Sequence, residues 1–450
     1  MRIKFLLLKW CPAFLHPALK RIENSPTGYR LARGTFWSIG GAILSRGLML
    51  TASILVARIL GRNEYGELGM IRTTVNMFGV IAGFGLGLTA TKYVAEFRTK
   101  DPDKAGRILG LSGLFAAVTA GLMAIILFIF APWLSEITIN APQLAGILRI
   151  GAIILFFNAL NGAQTGALAG FEAYKTIAKV NIFVGIISFP ILILGAYLGG
   201  LTGSVWALSI NLIINWLLNH IAVRKEAKKN SVPFTFKNCI HERSILWKFS
   251  LPAALGSCLV GPVNWACCAM LVNKPEGYSE MGIFSAANQW FNILLFLPSM
   301  IGGVILPVLS DQLGRNNIKA SIKTLIISVK INLLIVAPLV LIASITSPYI
   351  MSLYGDDFVN GWPTFIVVMF TALLLAVQRP VGQIISASGR MWTGLSMNGG
   401  WALVFIITTY LLTNYGSFGL ASARAFAYLI HSLWTLIFAI WFIRKGTTNE

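Results

Sequence analysis

The sequence has few charged residues: Asp, Glu, Lys and Arg make up only 12% of its 450 residues, whereas hydrophobic residues make up 56%. Soluble domains carry roughly 25% charged residues. A chain this apolar cannot present a water-compatible surface, but it is compatible with a lipid bilayer. Because helices satisfy their own backbone groups in hydrocarbon and the alternation of barrel strands is missing, the sequence predicts an all-α integral membrane protein.

Other absences exclude several kinds of site. The five cysteines show no CxxC pair and no metal-ligand spacing, so we interpret them as unpaired and mostly buried. There is no Walker A sequence, and the glycine-rich stretch at 83–88 lies inside an apolar run rather than after a strand. We therefore expect no cofactor, no metal and no nucleotide site.

Twelve apolar runs have about the length of 20 residues that a bilayer crossing needs. They are 35–57, 68–91, 108–130, 143–168, 176–197, 201–222, 249–272, 282–308, 322–345, 362–386, 392–413 and 418–442. A polar, basic connection after the sixth run divides the chain into two halves. The predicted organisation is a basic cytoplasmic arm (1–33), a six-helix lobe (34–222), a basic cytoplasmic linker (223–248), a second six-helix lobe (249–443) and a cytoplasmic tail (444–450).

Positive charge is distributed unevenly between the two predicted sides of the membrane. If the N-terminus lies inside, the segments on that side hold 27 of the 36 Lys and Arg residues, the opposite side holds three, and the runs hold six. Since Lys and Arg collect in cytoplasmic loops, we predict a multi-pass protein of the inner (cytoplasmic) membrane with both termini in the cytoplasm. The same bias accounts for the net charge of +20 without nucleic acid as a partner.

The two halves share short motifs. Tyr65–Gly69 (YGELG) opens the second run, and Tyr278–Gly282 (YSEMG) opens the eighth. Two further pairs keep the offset between 213 and 219 residues: LAG at 168–170 with ASG at 387–389, and GLTG at 200–203 with GLAS at 419–422. Six runs per repeat make the repeats parallel, and the substrate site is expected between them.

Six cations lie within the apolar runs, where a central charge costs about 2.5–3.5 kcal/mol on insertion scales. They are Arg46, Arg72, Arg149, Lys330, Arg379 and Arg424. Every acidic residue lies in a connection or at the end of a run, so none is placed to neutralise these cations. We interpret the cations as lining a cavity for an anion, with snorkelling to the interface as the alternative.

The candidates differ in their position. Arg46 lies near the middle of its run, and Arg72 shares a helix face with Asn76. Arg149 and Arg424 could snorkel outward and Lys330 inward. The full set of predicted substrate-binding residues is Arg46, Arg72, Asn76, Arg149, Asn288, Asn292, Gln378, Arg379 and Arg424. Asn288 and Asn292 belong to one polar face, which suits either sugar hydroxyls or hydrogen bonds between helices.

Four motifs mark the N-terminal part of the chain: GTFW at 34–37, ARILG at 57–61, YG at 65–66 and KYVAE at 92–96. With them, Leu31–Glu96 resembles the opening of polysaccharide-biosynthesis flippases, which belong to the multidrug/oligosaccharidyl-lipid/polysaccharide exporter superfamily. The six-plus-six layout and ASGR at 387–390 fit this resemblance over the rest of the chain.

The resemblance implies two six-helix lobes that form a V around a central cationic cavity and work by alternating access. The implied substrate is a polyprenyl-pyrophosphate-linked oligosaccharide, such as an O-antigen repeat unit of lipopolysaccharide, carried from the cytoplasmic to the outer leaflet. Related flippases of peptidoglycan precursors use arginines in their first two helices, and Arg46 and Arg72 occupy comparable places. The implied partners are the substrate, membrane lipids and polysaccharide polymerase or assembly proteins.

Two other classes of function remain open. A drug or cation antiporter of the same superfamily would need buried carboxylates, which the apolar runs lack. A membrane glycosyltransferase or polymerase would need a larger outer segment than 346–361, where Asp356 and Asp357 are the only paired acids. The sequence therefore favours a transporter that is not an enzyme.

Overall fold

A computed structural model describes residues 26–236, 238–250, 258–315 and 317–447. Thirteen helices carry the architecture of these residues. They are α1 (Pro26–Gly83), α2 (Leu86–Phe97), α3 (Pro102–Trp133), α4 (Ala145–Gly170), α5 (Tyr174–Lys229), α6 (Val260–Val272), α7 (Gly277–Leu294), α8 (Phe296–Gly314), α9 (Ile318–Ile345), α10 (Ser347–Ser352), α11 (Trp362–Ala387), α12 (Met391–Leu412) and α13 (Gly416–Thr447).

The two longest helices are each interrupted at glycine. In α1 the backbone leaves the helical region at Gly61 (φ 73°), and in α5 it does so at Gly199 and Gly200 (φ 53° at the latter). Positive φ favours glycine because a side chain would be strained there. The chain folds back at Gly61, since the Ser53 hydroxyl before the bend lies 2.7 Å from the Tyr65 hydroxyl after it.

Seven stretches of the described residues are long and apolar enough to cross a membrane. Two of them, at 174–229 and 392–442, each contain two of the runs predicted from the sequence, and the stretch at 40–97 contains the second run and all of the first except residues 35–39. Each of the twelve runs coincides with helical segments, apart from residues 251–257 of the seventh run, which lie outside the described residues. The all-α membrane fold is confirmed, whereas the number of twelve crossings stays a prediction.

The helices extend past the predicted lobe boundaries. Helix α1 begins at Pro26, within the predicted arm, of which residues 1–25 lie outside the described residues. Helix α5 continues to Lys229, so the following connection is shorter than predicted. This connection lies along α3: a Cβ at Gly106 would be 1.9 Å from the Pro233 carbonyl oxygen, and a Cβ at Gly110 would be 2.1 Å from that of Thr235.

The packing separates the chain into two lobes. Helices α1 to α5 pack on one another, and helices α6 to α13 do the same. Between the lobes, α1 packs against α6 and α7. One continuous apolar core passes through this contact, because buried residues of α1, such as Leu68 and Ile71, belong to the same cluster as Cys267 and Met281.

The internal repeat is visible in the way both lobes are built. The second predicted run breaks at Phe84 and Gly85, where φ is 43° and 65°, and the eighth breaks at Leu295, between α7 and α8. Proline at 298 removes a backbone donor just after this second break. A Gln–His pair also recurs: Gln164 lies 3.5 Å from His220, and Gln378 lies 2.7 Å from His431. These matches support a duplicated bundle.

Candidate functional site

The two lobes are in close contact at the end of the bundle opposite the termini, which we call the distal end. A Cβ at Gly66 would lie 1.8 Å from the Tyr278 carbonyl oxygen, and a Cβ at Gly282 would lie 2.2 Å from that of Arg62. A side chain at either position would therefore push the lobes apart. Gly66 and Gly282 belong to the two repeated motifs, so the internal repeat forms this contact.

Polar contacts reinforce the distal end. Arg62 forms an ion pair with Glu280 and donates a hydrogen bond to the Ser279 carbonyl at 3.1 Å. Glu280 also accepts from the Ser417 backbone N–H at 2.7 Å. Nearby, Arg58 donates to the Leu353 carbonyl at 2.6 Å. Because every one of these contacts except that of Glu280 with Ser417 joins the two lobes, separating the lobes here requires breaking them together.

An aromatic cluster fills the space beneath these contacts. The buried Tyr65 ring lies 6.3 Å from the Tyr354 ring and 6.1 Å from the Phe358 ring. Burial raises the pKa of the Tyr354 hydroxyl well above its usual range, so it acts as a neutral hydrogen-bonding group and accepts from the Trp290 indole at 3.1 Å. The distal end is therefore filled by buried aromatic side chains.

At the opposite end, which carries both termini, the helices pack mainly on helices of their own lobe. Helix α2 packs on α3 and α4 of its own lobe, and α8 packs on α9 and α11 of its own lobe. Midway along the bundle, the Trp265 indole donates to the Thr74 hydroxyl at 3.0 Å. At the end that carries the termini, the Thr89 and Ser250 hydroxyls lie 2.7 Å apart and join the two predicted lobes. The other described contacts between the lobes lie at the distal end and in the middle.

Two arginines from different lobes meet at the break between α7 and α8. The Arg46 guanidinium, on the exposed part of α1, lies 4.2 Å above the Phe296 ring. From α11, Arg379 donates to the Ser299 hydroxyl and to the Leu295 carbonyl, the latter at 3.4 Å. This carbonyl also accepts from the Ser299 backbone N–H at 3.0 Å. We call Arg46, Leu295, Phe296, Ser299 and Arg379 the break site.

Three further predicted residues lie on the helices beside the break site. Asn292 is exposed and precedes Phe296 by one turn. Asn76 is also exposed, one turn after Arg72. Arg72 is half-buried and follows Tyr65 by two turns, and the Tyr65 hydroxyl lies within electrostatic range of its guanidinium. Arg72 therefore connects the aromatic cluster of the distal end to the middle of α1.

The remaining predicted residues lie elsewhere. Arg149 is exposed and lies 5.2 Å from the Phe128 ring, on α4 of the N-terminal lobe. Inside the C-terminal lobe, Gln378 is hydrogen-bonded to His431, and Arg424 is hydrogen-bonded to Asn288. The structure thus distributes the nine predicted residues over several places rather than one cavity lining.

In the described chain, none of the six intramembrane cations forms an ion pair with an acidic residue, as the sequence predicts. The ion pairs that do form lie at helix ends and connections and include Arg98 with Glu172 and Arg107 with Glu242. In the same part of the chain no group of three or more His, Cys, Asp or Glu residues could hold a metal ion. The cationic character of the break site is therefore uncompensated by carboxylates.

Phe296 and Ser299 are site residues that sequence reasoning missed. Pro298 was a usable signal for a break in the helix, because proline cannot donate a backbone hydrogen bond and kinks or breaks a helix. The contact of Ser299 and the Leu295 carbonyl with Arg379 could not be identified, since Arg379 is far away in the chain.

The two helical lobes, the broken second helix of each repeat and the uncompensated arginines define a transporter of the multidrug/oligosaccharidyl-lipid/polysaccharide exporter superfamily. The chain belongs to the family described as polysaccharide biosynthesis protein, whose sequence profile matches residues 31–313. The resemblance seen in the N-terminal motifs is therefore confirmed.

Curated relatives match nearly the full length of the chain. The EPS I polysaccharide export inner membrane protein EpsE of Ralstonia nicotianae is 23% identical over 401 residues, covering 87% of this chain and 90% of the relative. The lipid III flippase of Escherichia coli is 23% identical over 426 residues, covering 91% and 99%. The succinoglycan biosynthesis transport protein ExoT of Rhizobium meliloti is 22% identical, covering 93% and 81%.

Solved structures show the same fold. An inward-facing multidrug resistance MATE transporter superposes with a TM-score of 0.74 at 12% identity, covering 92% of this chain and 99% of that one. The inward closed lipid II flippase MurJ gives 0.68 at 16% identity, covering 92% and 90%. An outward-facing MATE transporter gives 0.65 at 13% identity, covering 94% and 97%. The chain is thus closer in shape to the inward-facing MATE transporter than to the outward-facing one.

Proposed function

We propose that this protein is a flippase that moves a polyprenyl-pyrophosphate-linked oligosaccharide from the cytoplasmic to the outer leaflet by alternating access. The observation that carries this proposal is the break site, where Arg46 and Arg379 come from different lobes and have no carboxylate partner among the described residues. Guanidinium groups bind phosphate through paired, charge-assisted hydrogen bonds. A pyrophosphate between the lobes would therefore contact both halves of the transporter.

The contacts of Arg46 leave it able to bind an anion. Stacking on Phe296 uses the face of the guanidinium, so its N–H groups, which lie in the plane, stay available. The exposed amide of Asn292, one turn before Phe296, adds hydrogen-bonding groups suited to sugar hydroxyls. The proposed substrate thus places its pyrophosphate at the arginines and its first sugars along α7.

The described contacts suggest how access alternates. With the distal end closed, substrate enters a V-shaped cavity from the end that carries the termini, which we propose is cytoplasmic. Release to the outer leaflet then requires the Arg62–Glu280 ion pair and the close approach of Gly66 to Tyr278 to separate. The flippase would deliver its cargo to polysaccharide polymerase or assembly proteins outside, for a surface polysaccharide such as O-antigen.

The orientation rests on the charge asymmetry of the connections and gives a topology prediction. Single cysteines at Asn230, Glu276 and Asp357, in a chain whose own cysteines are replaced by serine or alanine, are to be labelled in intact cells with a membrane-impermeant maleimide. We expect labelling at positions 276 and 357, and labelling at 230 only after the membrane is permeabilised. Labelling of position 230 in intact cells would reverse the orientation.

The alternative of a drug or cation antiporter is less well supported. Such a transporter needs an acidic residue inside a lobe to bind its coupling cation. In the described chain the acids near the lobe contact, Glu67 and Glu280, lie at the distal end and bind Gln143 and Arg62. A membrane enzyme is also disfavoured, because the outer segment at 346–361 folds mainly as short helical turns against α11.

Reconstitution separates these functions. In liposomes that contain the purified protein, a fluorescent polyprenyl-pyrophosphate oligosaccharide should move from the inner to the outer leaflet, where a membrane-impermeant oxidant reaches its sugars. In protein-free liposomes, and in liposomes with a polyprenyl lipid that lacks phosphate, the lipid of the inner leaflet should stay protected from the oxidant. Absence of flipping, together with uptake of a cationic dye driven by a sodium or proton gradient, would favour the antiporter.

A further inference from the structure

The interior of the C-terminal lobe contains a guanidinium that lacks a charged partner. Arg424 on α13 is only 4% exposed. Its Nη1 donates to the Asn288 side-chain oxygen at 2.8 Å, but its Nε and Nη2 are buried without any hydrogen-bond partner in the described structure. Buried polar groups are nearly always hydrogen-bonded, so each exception requires an explanation such as a bound water or ion.

The aromatic neighbours of Arg424 do not remove this requirement. The guanidinium lies between the rings of Phe284 and Phe291, 4.8 Å and 4.5 Å from their centroids. Cation–π contacts stabilise the charge through its faces. The Nε and Nη2 hydrogens lie in the guanidinium plane, so they still need an acceptor.

A second unpartnered donor lies on the neighbouring helix. The buried Trp401 indole has no partner for its Nε1–H in the described structure, and its ring packs 5.3 Å from the ring of Tyr428. Tyr428 follows Arg424 by one turn of α13, and both Arg424 and Arg379 lie within electrostatic range of its hydroxyl. Indole and guanidinium groups can only donate, so both of these buried groups lack an acceptor in the described structure.

No described acidic residue is available to supply the missing acceptor. Glu280, two turns before Asn288 on α7, is already bound to Arg62 and to the Ser417 backbone. Cys268, which lies within electrostatic range of Arg424, is a buried thiol. A water molecule would accept the hydrogen bonds but would leave the buried charge uncompensated, and such a charge is costly in a medium of low dielectric constant.

We propose that the C-terminal lobe binds a small monovalent anion of halide size, chloride under ordinary conditions, at the Nε and Nη2 edge of Arg424, with the Trp401 indole as a further donor. The site lies inside one lobe, not at the break site between lobes. Because the unpartnered atoms are fully buried, a substrate pyrophosphate with its attached lipid and sugars does not fit there. The bound anion would neutralise Arg424 and stabilise the packing of α7 against α13.

The test is the thermal unfolding of the purified full-length protein, followed by intrinsic tryptophan fluorescence while chloride replaces gluconate at constant ionic strength. We expect the midpoint to rise by about 2 °C or more and to saturate, with bromide acting like chloride. Arg424→Met should show no halide response and should be at least as stable as the wild type in gluconate, because an apolar side chain removes the unpaired buried charge. Lys330→Met, which removes an exposed cation from α9, should keep the full response.

Two further measurements protect the test against a variant that fails to fold. Trp401→Phe should raise the half-saturating bromide concentration by roughly tenfold, the effect of losing one hydrogen bond to a charged group. Crystals grown in bromide should show anomalous density beside Arg424. A wild-type protein without a halide response would overturn the proposal and would indicate that water binds the unpartnered donors. An Arg424→Met variant that keeps the response would also overturn it and would assign the response to another arginine.

Discussion

Alanine at Arg46 or Arg72 is expected to abolish export of the surface polysaccharide while leaving the amount of protein in the membrane unchanged. Arg46 is exposed and its described contact is the stacking on Phe296, so removing it costs little stability. The loss in transport is larger, because each charge-assisted hydrogen bond to pyrophosphate contributes about 1.5–3 kcal/mol, equivalent to roughly 10- to 100-fold in rate.

Lysine at the same positions separates charge from geometry. Arg46→Lys and Arg72→Lys should restore part of the export, because the positive charge is kept while the planar pair of donors is lost. Lys330→Ala is the matched control, since it removes an exposed cation of α9; its export should stay normal. Polysaccharide is measured by immunoblot against a deletion strain, and the protein by a C-terminal tag. Normal polysaccharide in both alanine variants would remove these arginines from the mechanism.

The fold could be predicted from the sequence because a bilayer imposes a simple rule on each helix separately. A crossing helix needs about 20 apolar residues whatever its neighbours are, so the runs are readable one at a time. The repeated motifs YGELG and YSEMG were also informative, because Gly66 and Gly282 allow the close backbone approach at the distal end. The ends of α1 and α5 were less predictable, since a helix continues into water without an apolar sequence.

The geometry of the site could not be predicted in the same way, because it depends on contacts between distant parts of the chain. Nothing in the local sequence of Arg46 indicates that Phe296, in the other lobe, lies beneath it. Outward snorkelling was one interpretation of Arg424, yet Phe284 and Phe291 enclose it inside the lobe. Arg149 has an equally apolar sequence context but is exposed. Burial of a membrane arginine is decided by the neighbouring helices.

The direction of the membrane potential is expected to set the rate of flipping. The described chain offers no carboxylate inside a lobe beside the intramembrane arginines, and the sequence contains no nucleotide motif. A pyrophosphate-linked lipid is negatively charged, and an inside-negative potential moves each charge outward with about 2.3 kcal/mol per 100 mV. The arginines would lower the cost of moving that charge through hydrocarbon, and the same field would draw the unloaded, cationic break site back toward the cytoplasm.

Liposomes with a potassium gradient and valinomycin test this idea at either sign of the potential. With the labelled lipid-linked oligosaccharide in the inner leaflet, an interior-negative potential should accelerate its outward movement at least tenfold over the opposite sign. One net charge crossing about 100 mV would give roughly 50-fold. The Arg46→Ala variant should show the low rate of protein-free liposomes at both signs. Equal rates at both signs, with flipping that instead follows a sodium or proton gradient, would show that an ion drives transport and that its site includes residues other than these arginines.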